Sequence, residues 1–376
     1  MDLMFDKFVQ MDMLVILQVV MLGFIGGVLS GFIGSGGAFF MTPGMMNLGV
    51  PGVIAVGSNI THKFGKALMG SKKHGEMGNV DRRLGIFLLA SACAGIFIAA
   101  QINKLLFAKG GSHGEGRDAV SNLYISMVFV CILSFVGYSM LRDALRSRKE
   151  EGGSGPSMRI ADMVSKFRMP PYISFPVADV RVSLWPLLAV GLATGYLAGT
   201  IGVGGFIGVP AMIYVFGVPT AVAAGTELYL AMYMGAWGAL NYAYMGCVDI
   251  RMTLALYLGS LVGIYVGAYG TKVVKEVYIR ITTGTIILLC VISRLVAVPM
   301  YLRQMGWVEA PEGWDPVKDW DYWFNTLSKG MLYIAGLSGA LMILWNVIRA
   351  YFQRRRIQRS LHESRPGEGA VQGGIG

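Results

Sequence analysis

Gly34-Ser35-Gly36-Gly37, running on through an apolar segment to Pro43, is the stretch that decides the fold. It has an echo in Gly202-Val203-Gly204-Gly205, which runs on to Pro210. Apart from the two prolines, which are 167 residues apart, the two copies stay in register at an offset of 168 residues. Gly49-Val50-Pro51 answers Gly217-Val218-Pro219, Gly57-Ser58 answers Gly225-Thr226, and Gly70 answers Gly238. Further on, Gly78, Val80, Asp81 and Arg83 answer Gly246, Val248, Asp249 and Arg251. One unit is written twice, with a glycine break at the same place in each copy.

Composition sets the solvent. Hydrophobic residues make up 54% of the chain, charged residues only 14%, and 52 of 376 residues are glycine. With long apolar runs, this is the composition of a polytopic membrane protein. The net charge of +10 is therefore read by position, as excess Lys and Arg in cytoplasmic loops, and no nucleic-acid partner is expected. The first twelve residues carry Asp2, Asp6 and Asp12 against Lys7, so no secretory signal is evident and the first apolar run stays in the membrane. Cys93, Cys131, Cys247 and Cys290 fall singly, with no His cluster beside them. Disulfide, metal and cofactor chemistry are not expected.

Long membrane helices are expected at 13–33, 52–70, 83–102 and 120–141, then at 184–201, 220–242, 252–270 and 278–298, with a last one at 327–349. Between the first two helices of each copy lie short segments, 37–49 and 205–217. Such segments reach only ~20 Å as helix, short of a ~30 Å hydrocarbon core. The loop from Arg142 to Arg181 and the tail holding Arg354-Arg355-Arg356 are basic and read as cytoplasmic, whereas the acidic, Trp-rich 299–326 reads as external. Lys72-Lys73-His74 is basic, but its counterpart in the second copy is not. The copies are therefore expected to have opposite orientations, which requires each short segment to act as a fifth crossing or as half of a hairpin that dips in and returns.

The expected fold is an all-α polytopic membrane protein of two inverted-topology repeats with glycine-broken half-helices, plus one extra C-terminal transmembrane helix. The units are 13–142, a cytoplasmic loop 143–183, 184–298, an external loop 299–326, the helix 327–349 and a basic cytoplasmic tail 350–376. The N-terminus is placed outside and the C-terminus in the cytoplasm of a plasma or inner membrane. Inverted repeats with discontinuous helices near the midplane characterise secondary transporters.

The breaks point to a small anionic substrate. Irregular backbone survives in a bilayer only where it lines a cavity or is buried in protein. A half-helix beginning at such a break presents free N–H groups and a partial positive charge. The expected substrate site is Gly34, Ser35, Gly36, Gly37, Gly202, Gly204 and Gly205, with Ser58, Asn59, His62, Lys63 and Thr226 from the helices that follow. A lysine well inside a membrane helix is a functional candidate, although Lys63 and Lys66 could also snorkel to an interface. Glu227 stands where Asn59 stands in the first copy, and is a candidate for proton coupling or a structural ion pair with Lys63. The same glycines could also serve only to let helices pack closely. Asp81/Arg83 and Asp249/Arg251 sit at loop–helix junctions and read as caps and local pairs.

At the paired Gly-Gly, Pro, Gly-Val-Pro and Gly-Ser/Thr pattern, over roughly 14–298, the chain resembles the TauE/SafE sulfite exporter family. The resemblance implies a bacterial or archaeal plasma-membrane carrier of sulfite, organosulfonates, thiosulfate or related small anions, coupled to protons or membrane potential. The mid-chain loop and the aromatic-flanked last helix depart from shorter family members. The alternatives are an anion channel or a non-transporting membrane sensor or scaffold. A homo-oligomer is compatible with the sequence. An enzyme is not expected: Gly34-Ser35-Gly36 lacks the order of a membrane serine protease, and Gly-Ser-Lys-Lys at 70–73 lacks the spacing of a nucleotide-binding loop.

Overall fold

A computed structural model of the chain describes residues 11–33, 37–109, 118–149, 170–273, 276–311 and 313–363. The first copy contributes α1 (Met13–Ile33), the short α2 (Ala38–Asn47), α3 (Gly52–Glu76), α4 (Arg82–Lys109) and α5 (Ala119–Lys149). The second contributes α6 (Leu184–Ile201), the short α7 (Gly205–Tyr214), α8 (Thr220–Tyr244), α9 (Ile250–Val273) and α10 (Glu276–Gln304). α11 (Tyr322–Glu363) follows. Among the described residues, seven helical stretches are long and apolar enough to cross a membrane, and they lie in α1, α4, α5, α6, α9, α10 and α11. Each short helix has 10 residues, or ~15 Å of length, half of what a crossing needs.

The helices pair across the two copies. α1 packs against α9, α4 against α6, α3 against α8, and α5 against α10. The first pairing rests on small residues. Gly23, Gly27 and Gly31 lie against the backbone of Leu256, Ser260 and Ile264. In the second copy Gly191, Gly195 and Gly199 lie against Leu88, Ala92 and Ile96. These contacts match at the same 168-residue offset, and they run parallel. Backbone approaches backbone because no Cβ intervenes, the usual device where lipid supplies no hydrophobic drive between helices. In contrast, Gly70 meets Leu228, Gly235 meets Phe64 and Gly238 meets Ile60, so α3 and α8 run antiparallel. Gly137 against Ile287 and Gly284 against Leu141 set α5 and α10 antiparallel as well.

α2 turns back along α1: Gly37 lies against Gly26 and Ser30, and Gly44 against Leu22. α1 and α2 therefore form a hairpin, and α3 then runs in the direction of α9, as Ser58, Thr61 and His62 meet Asp249, Tyr257 and Ser260 in turn.

α3 and α4 run on to Glu76 and Lys109, past the expected 70 and 102, so Lys72-Lys73-His74 lies in helix rather than loop, and three further segments differ from expectation. The loop placed at 143–183 is not all loop. α5 continues to Lys149, and Tyr172–Phe175 pairs antiparallel with Val180–Ser183 as β1 and β2. The alternation Tyr-Ile-Ser-Phe and Val-Arg-Val-Ser allows it: Phe175 and Val182 are buried, with Ala178 of the turn, against Leu84 and Leu88 of α4. Residues 150–169 lie outside the described residues. Second, Pro299 does not end its helix; it sits inside α10, which reaches Gln304, because prolines are tolerated in helices packed among neighbours. The stretch placed outside, 299–326, is correspondingly shorter. It closes with a π-helical turn, Pro316–Asp321, capped by Asp315, and with an ion pair from Arg303 to Asp321. Third, the last helix extends to Glu363, past the expected 349.

Candidate functional site

The two breaks occupy equivalent seats. Gly37 is the N-cap of α2 and lies against the Gly26 carbonyl and Ser30. Gly204, one residue short of the repeat of Gly37, is the N-cap of α7 and lies against the Thr194 carbonyl and Ala198, which stand where Gly26 and Ser30 stand in the first copy. Neither N-terminus receives a side-chain cap; Phe40 and Ile207, third in each helix, bond back to the Gly37 and Gly204 carbonyls at 3.3 and 3.2 Å, and the first two amides of each helix are the ones a helix leaves without an internal acceptor. Gly202 ends α6 at φ 78°, a left-handed cap that favours glycine. Gly205 opens α7 and is buried. Gly34, Ser35 and Gly36 lie outside the described residues.

A buried knot joins the two breaks. Asn59 of α3 donates from Nδ2 to the Ala38 carbonyl at 2.9 Å and to Thr42 Oγ1 at 2.8 Å. Thr42 donates in turn to the Ile201 carbonyl at 3.1 Å, the last residue of α6. A Cβ on Gly202 would sit 2.9 Å from Asn59 Nδ2 and 3.1 Å from Thr42 Oγ1. Asn59 and Thr42 are both wholly buried, and Asn59 Oδ1 has no partner among the described residues.

Glu227 is the corresponding residue of α8. It is fully buried, and neither carboxylate oxygen has a partner among the described residues. It lies over Gly208 of α7, whose missing side chain makes the room, with Thr194 beside it. The Thr194 hydroxyl is also unpartnered among the described residues. Lys63 of α3 is near enough for its charge to act on Glu227, but the two make no direct ion pair. Burying an unpaired carboxylate costs several kcal/mol, so either a proton or a neighbouring cation must accompany it.

The remaining candidates divide. His62 is turned toward α9: its Nε2 meets Ser260 Oγ at 2.7 Å and its ring lies 4.7 Å from that of Tyr257. Lys66 donates to Ser30 Oγ at 2.8 Å, which brings a cation next to the Gly37 seat. Ser58 and Thr226 face the opposite copy. Ser58 Oγ accepts the Asp249 N–H at 3.0 Å, and Thr226 Oγ1 accepts the Asp81 N–H at 3.0 Å. Their hydroxyls stitch the copies together at positions 168 residues apart. Sequence reasoning passed over Thr42, Thr194 and Gly208. The available signal was a threonine inside each of two apolar segments, and the glycine spacing of α1 and α6.

Among the described residues no three His, Cys, Asp or Glu converge as a metal site. The arrangement places buried groups of mixed polarity near the two half-helix N-termini, with donors and cations on one side and a carboxyl on the other.

Two curated relatives carry transporter names. A "Probable membrane transporter protein YdhB" of Bacillus subtilis (strain 168) is 23% identical over 234 residues, covering 61% of this chain and 80% of that protein. A "Probable membrane transporter protein" of Xylella fastidiosa (strain 9a5c) is 36% identical over 84 residues, 22% of this chain and 31% of that protein. No solved structure gives a significant match. The model of the family "Sulfite exporter TauE/SafE" matches residues 19–294, which takes in both glycine breaks and every paired helix up to the middle of α10, and the chain belongs to that family of membrane transporters.

Proposed function

We propose that this protein is a secondary carrier of a small anion, of the sulfite, organosulfonate or related sulfur- or carboxylate-containing class, bound between the N-termini of α2 and α7. The observation that carries the reading is the Asn59–Thr42–Ile201 knot beside Gly202, which draws both breaks to one place. Two half-helix ends there present amide dipoles to negative charge, and Lys63 and Lys66 add cations on the first-copy side.

The halves are inverted repeats. The support is directional: α3 and α8 are equivalent helices and run antiparallel, as do α5 and α10. A two-fold operation that exchanges them turns each end over end, which sets its axis in the membrane plane. The basic loops then face the cytoplasm, with the N-terminus outside. Glu227 carries the coupling proton, since it is buried with no fixed partner.

Counterflow in proteoliposomes tests this reading. Vesicles are loaded with sulfite, thiosulfate, sulfoacetate, sulfate or acetate, with and without a pH gradient. Saturable exchange of a sulfur oxyanion or sulfonate is expected. Exchange of acetate alone would keep the anion site and remove the sulfur assignment. No exchange from folded protein would reject the carrier.

A further inference from the structure

A groove of about 780 Å³ opens where the end of α3, the α3–α4 turn and α8 meet. Its lining is divided. Leu68, Met69 and Met232 form an apolar wall, while Lys72 and Arg82 place two cations on the rim against the single acid Glu76. Tyr229 and Tyr233 also line it, with their rings edge to face at 5.1 Å.

The lining of the groove passes from apolar to charged residues. The apolar span of α4 begins at Arg82. Leu68 and Met69 are 51% and 67% exposed, as apolar side chains are when hydrocarbon surrounds them. On α8, Glu227, Leu230 and Met234 are buried, whereas Tyr233 is 42% exposed. The groove is therefore on the outer face of α8, away from the site between the breaks. Its symmetry mate carries no charge: Leu240 and Ile250 stand where Lys72 and Arg82 stand, and both are exposed. A basic groove thus exists at only one end of the pseudo-symmetric pair.

We propose that this groove binds one phospholipid with an anionic headgroup. Its phosphate and headgroup charge lie between Lys72 and Arg82. An acyl chain follows Leu68, Met69 and Met232, and the tyrosine hydroxyls sit at headgroup level, where amphipathic rings gather. Basic pockets between helices at the cytoplasmic boundary suit such lipids, and the stems of Lys72 and Arg82 can lie on the apolar wall while their charges stay at the interface. The lipid would press on α8, the helix that carries Glu227 on its other face.

The test is native mass spectrometry of the full chain in mild detergent, titrated with phosphatidylglycerol or phosphatidylcholine. One phosphatidylglycerol per chain is expected to stay bound under conditions that strip phosphatidylcholine. Lys72→Ala with Arg82→Ala should weaken retention roughly thirtyfold, at about five- to sixfold per basic residue. Lys72→Arg with Arg82→Lys should restore it. If the double alanine variant does not fold, Lys72→Ala alone, on an exposed side chain, gives the single-charge loss. Equal retention of both lipids, or unchanged retention after the charges are removed, overturns the proposal. Displacement of the lipid by millimolar inorganic phosphate would assign the cations to a soluble anion instead. A dimer that binds no lipid would assign the groove to a second copy of the chain.

Discussion

The two halves of this molecule share a backbone plan and differ in what they hang on it. In the first, Asn59 is held by Thr42, and Lys66 reaches Ser30 beside Gly37. In the second, the matching positions are Glu227, Pro210, Met234 and Ala198. Pro210 offers no hydroxyl, so the acid of the second half lacks the partner that fixes the amide of the first. The seats of the short helices are alike, but their surroundings are not. All ten residues of α2 are buried. α11 covers α2, with Phe40 filling the space over Gly336, and Arg294 of α10 bonding both Asn47 and Ser328. α7 keeps Ile207, Val209, Pro210 and Tyr214 partly exposed. Duplication supplied a symmetric scaffold. Divergence then put donors and a fixed helix on one side, and an acid and a less enclosed helix on the other.

The symmetric part should be the most fragile. Gly27 and Gly195 occupy matching rungs, each against the backbone of a parallel helix. Gly27→Val and Gly195→Val should both abolish folded protein, since a clash with backbone cannot be relieved by a rotamer change. Detergent-solubilised yield and thermal melting give the readout. Survival of one variant and not the other would break the equivalence of the halves.

The divergent part should govern function rather than folding. Glu227→Gln should leave the protein folded and remove stimulation of exchange by a pH gradient, so that driven flux falls to the level measured at equal pH. Exchange at equal pH should persist. A variant that keeps the wild-type response to the gradient would take the proton role from Glu227. Thr42→Val should cost about 1–2 kcal/mol, because it strips both bonds of a buried hydroxyl and leaves Asn59 with one acceptor. Pro210→Thr sharpens the comparison by offering the second half the missing hydroxyl. It should narrow the pH response if Glu227 accepts the new bond, and measured flux across a pH series reads it.

Much of this was legible in the sequence because duplication is a strong signal. The 168-residue offset related the two breaks, the long helices of the two copies and the positions of Asn59 and Glu227, while the last helix, outside the repeat, was read from its apolar run. Two kinds of feature escaped. The first was direction: residue type marks Ser58 and Thr226 as polar, but their partners Asp249 and Asp81 lie far along the chain. His62 was similarly drawn off by Ser260 of the other copy. The second was length. Pro299 and the basic residues after Arg349 carry local stop signals, yet packing and the continuing α11 override them. The strands β1 and β2 escaped because four-residue alternations are weak signals beside 20-residue apolar runs.

The smallest expected effect separates two residues with the same sequence signature. Asp81 and Asp249 each cap the helix that follows, through Leu84 and through Arg251 and Met252. Their second oxygens serve different groups. Asp249 Oδ2 pairs with Arg251, which is half exposed, and such pairs contribute about 0–1 kcal/mol. Asp81 Oδ2 instead accepts the Val177 and Ala178 N–H groups, and so pins the β1–β2 turn to the start of α4. Asp249→Asn should therefore change stability by a few tenths of a kcal/mol and alter nothing at a distance. Asp81→Asn can replace one acceptor but not both, and should loosen the turn while the membrane helices stay intact. Limited proteolysis near Arg181 makes the distinction: faster cleavage is expected in the Asp81 variant and not in the Asp249 variant. Equal cleavage in the two would mean that Phe175 and Val182 hold the hairpin by burial alone, and that the asymmetry at these two aspartates carries no weight.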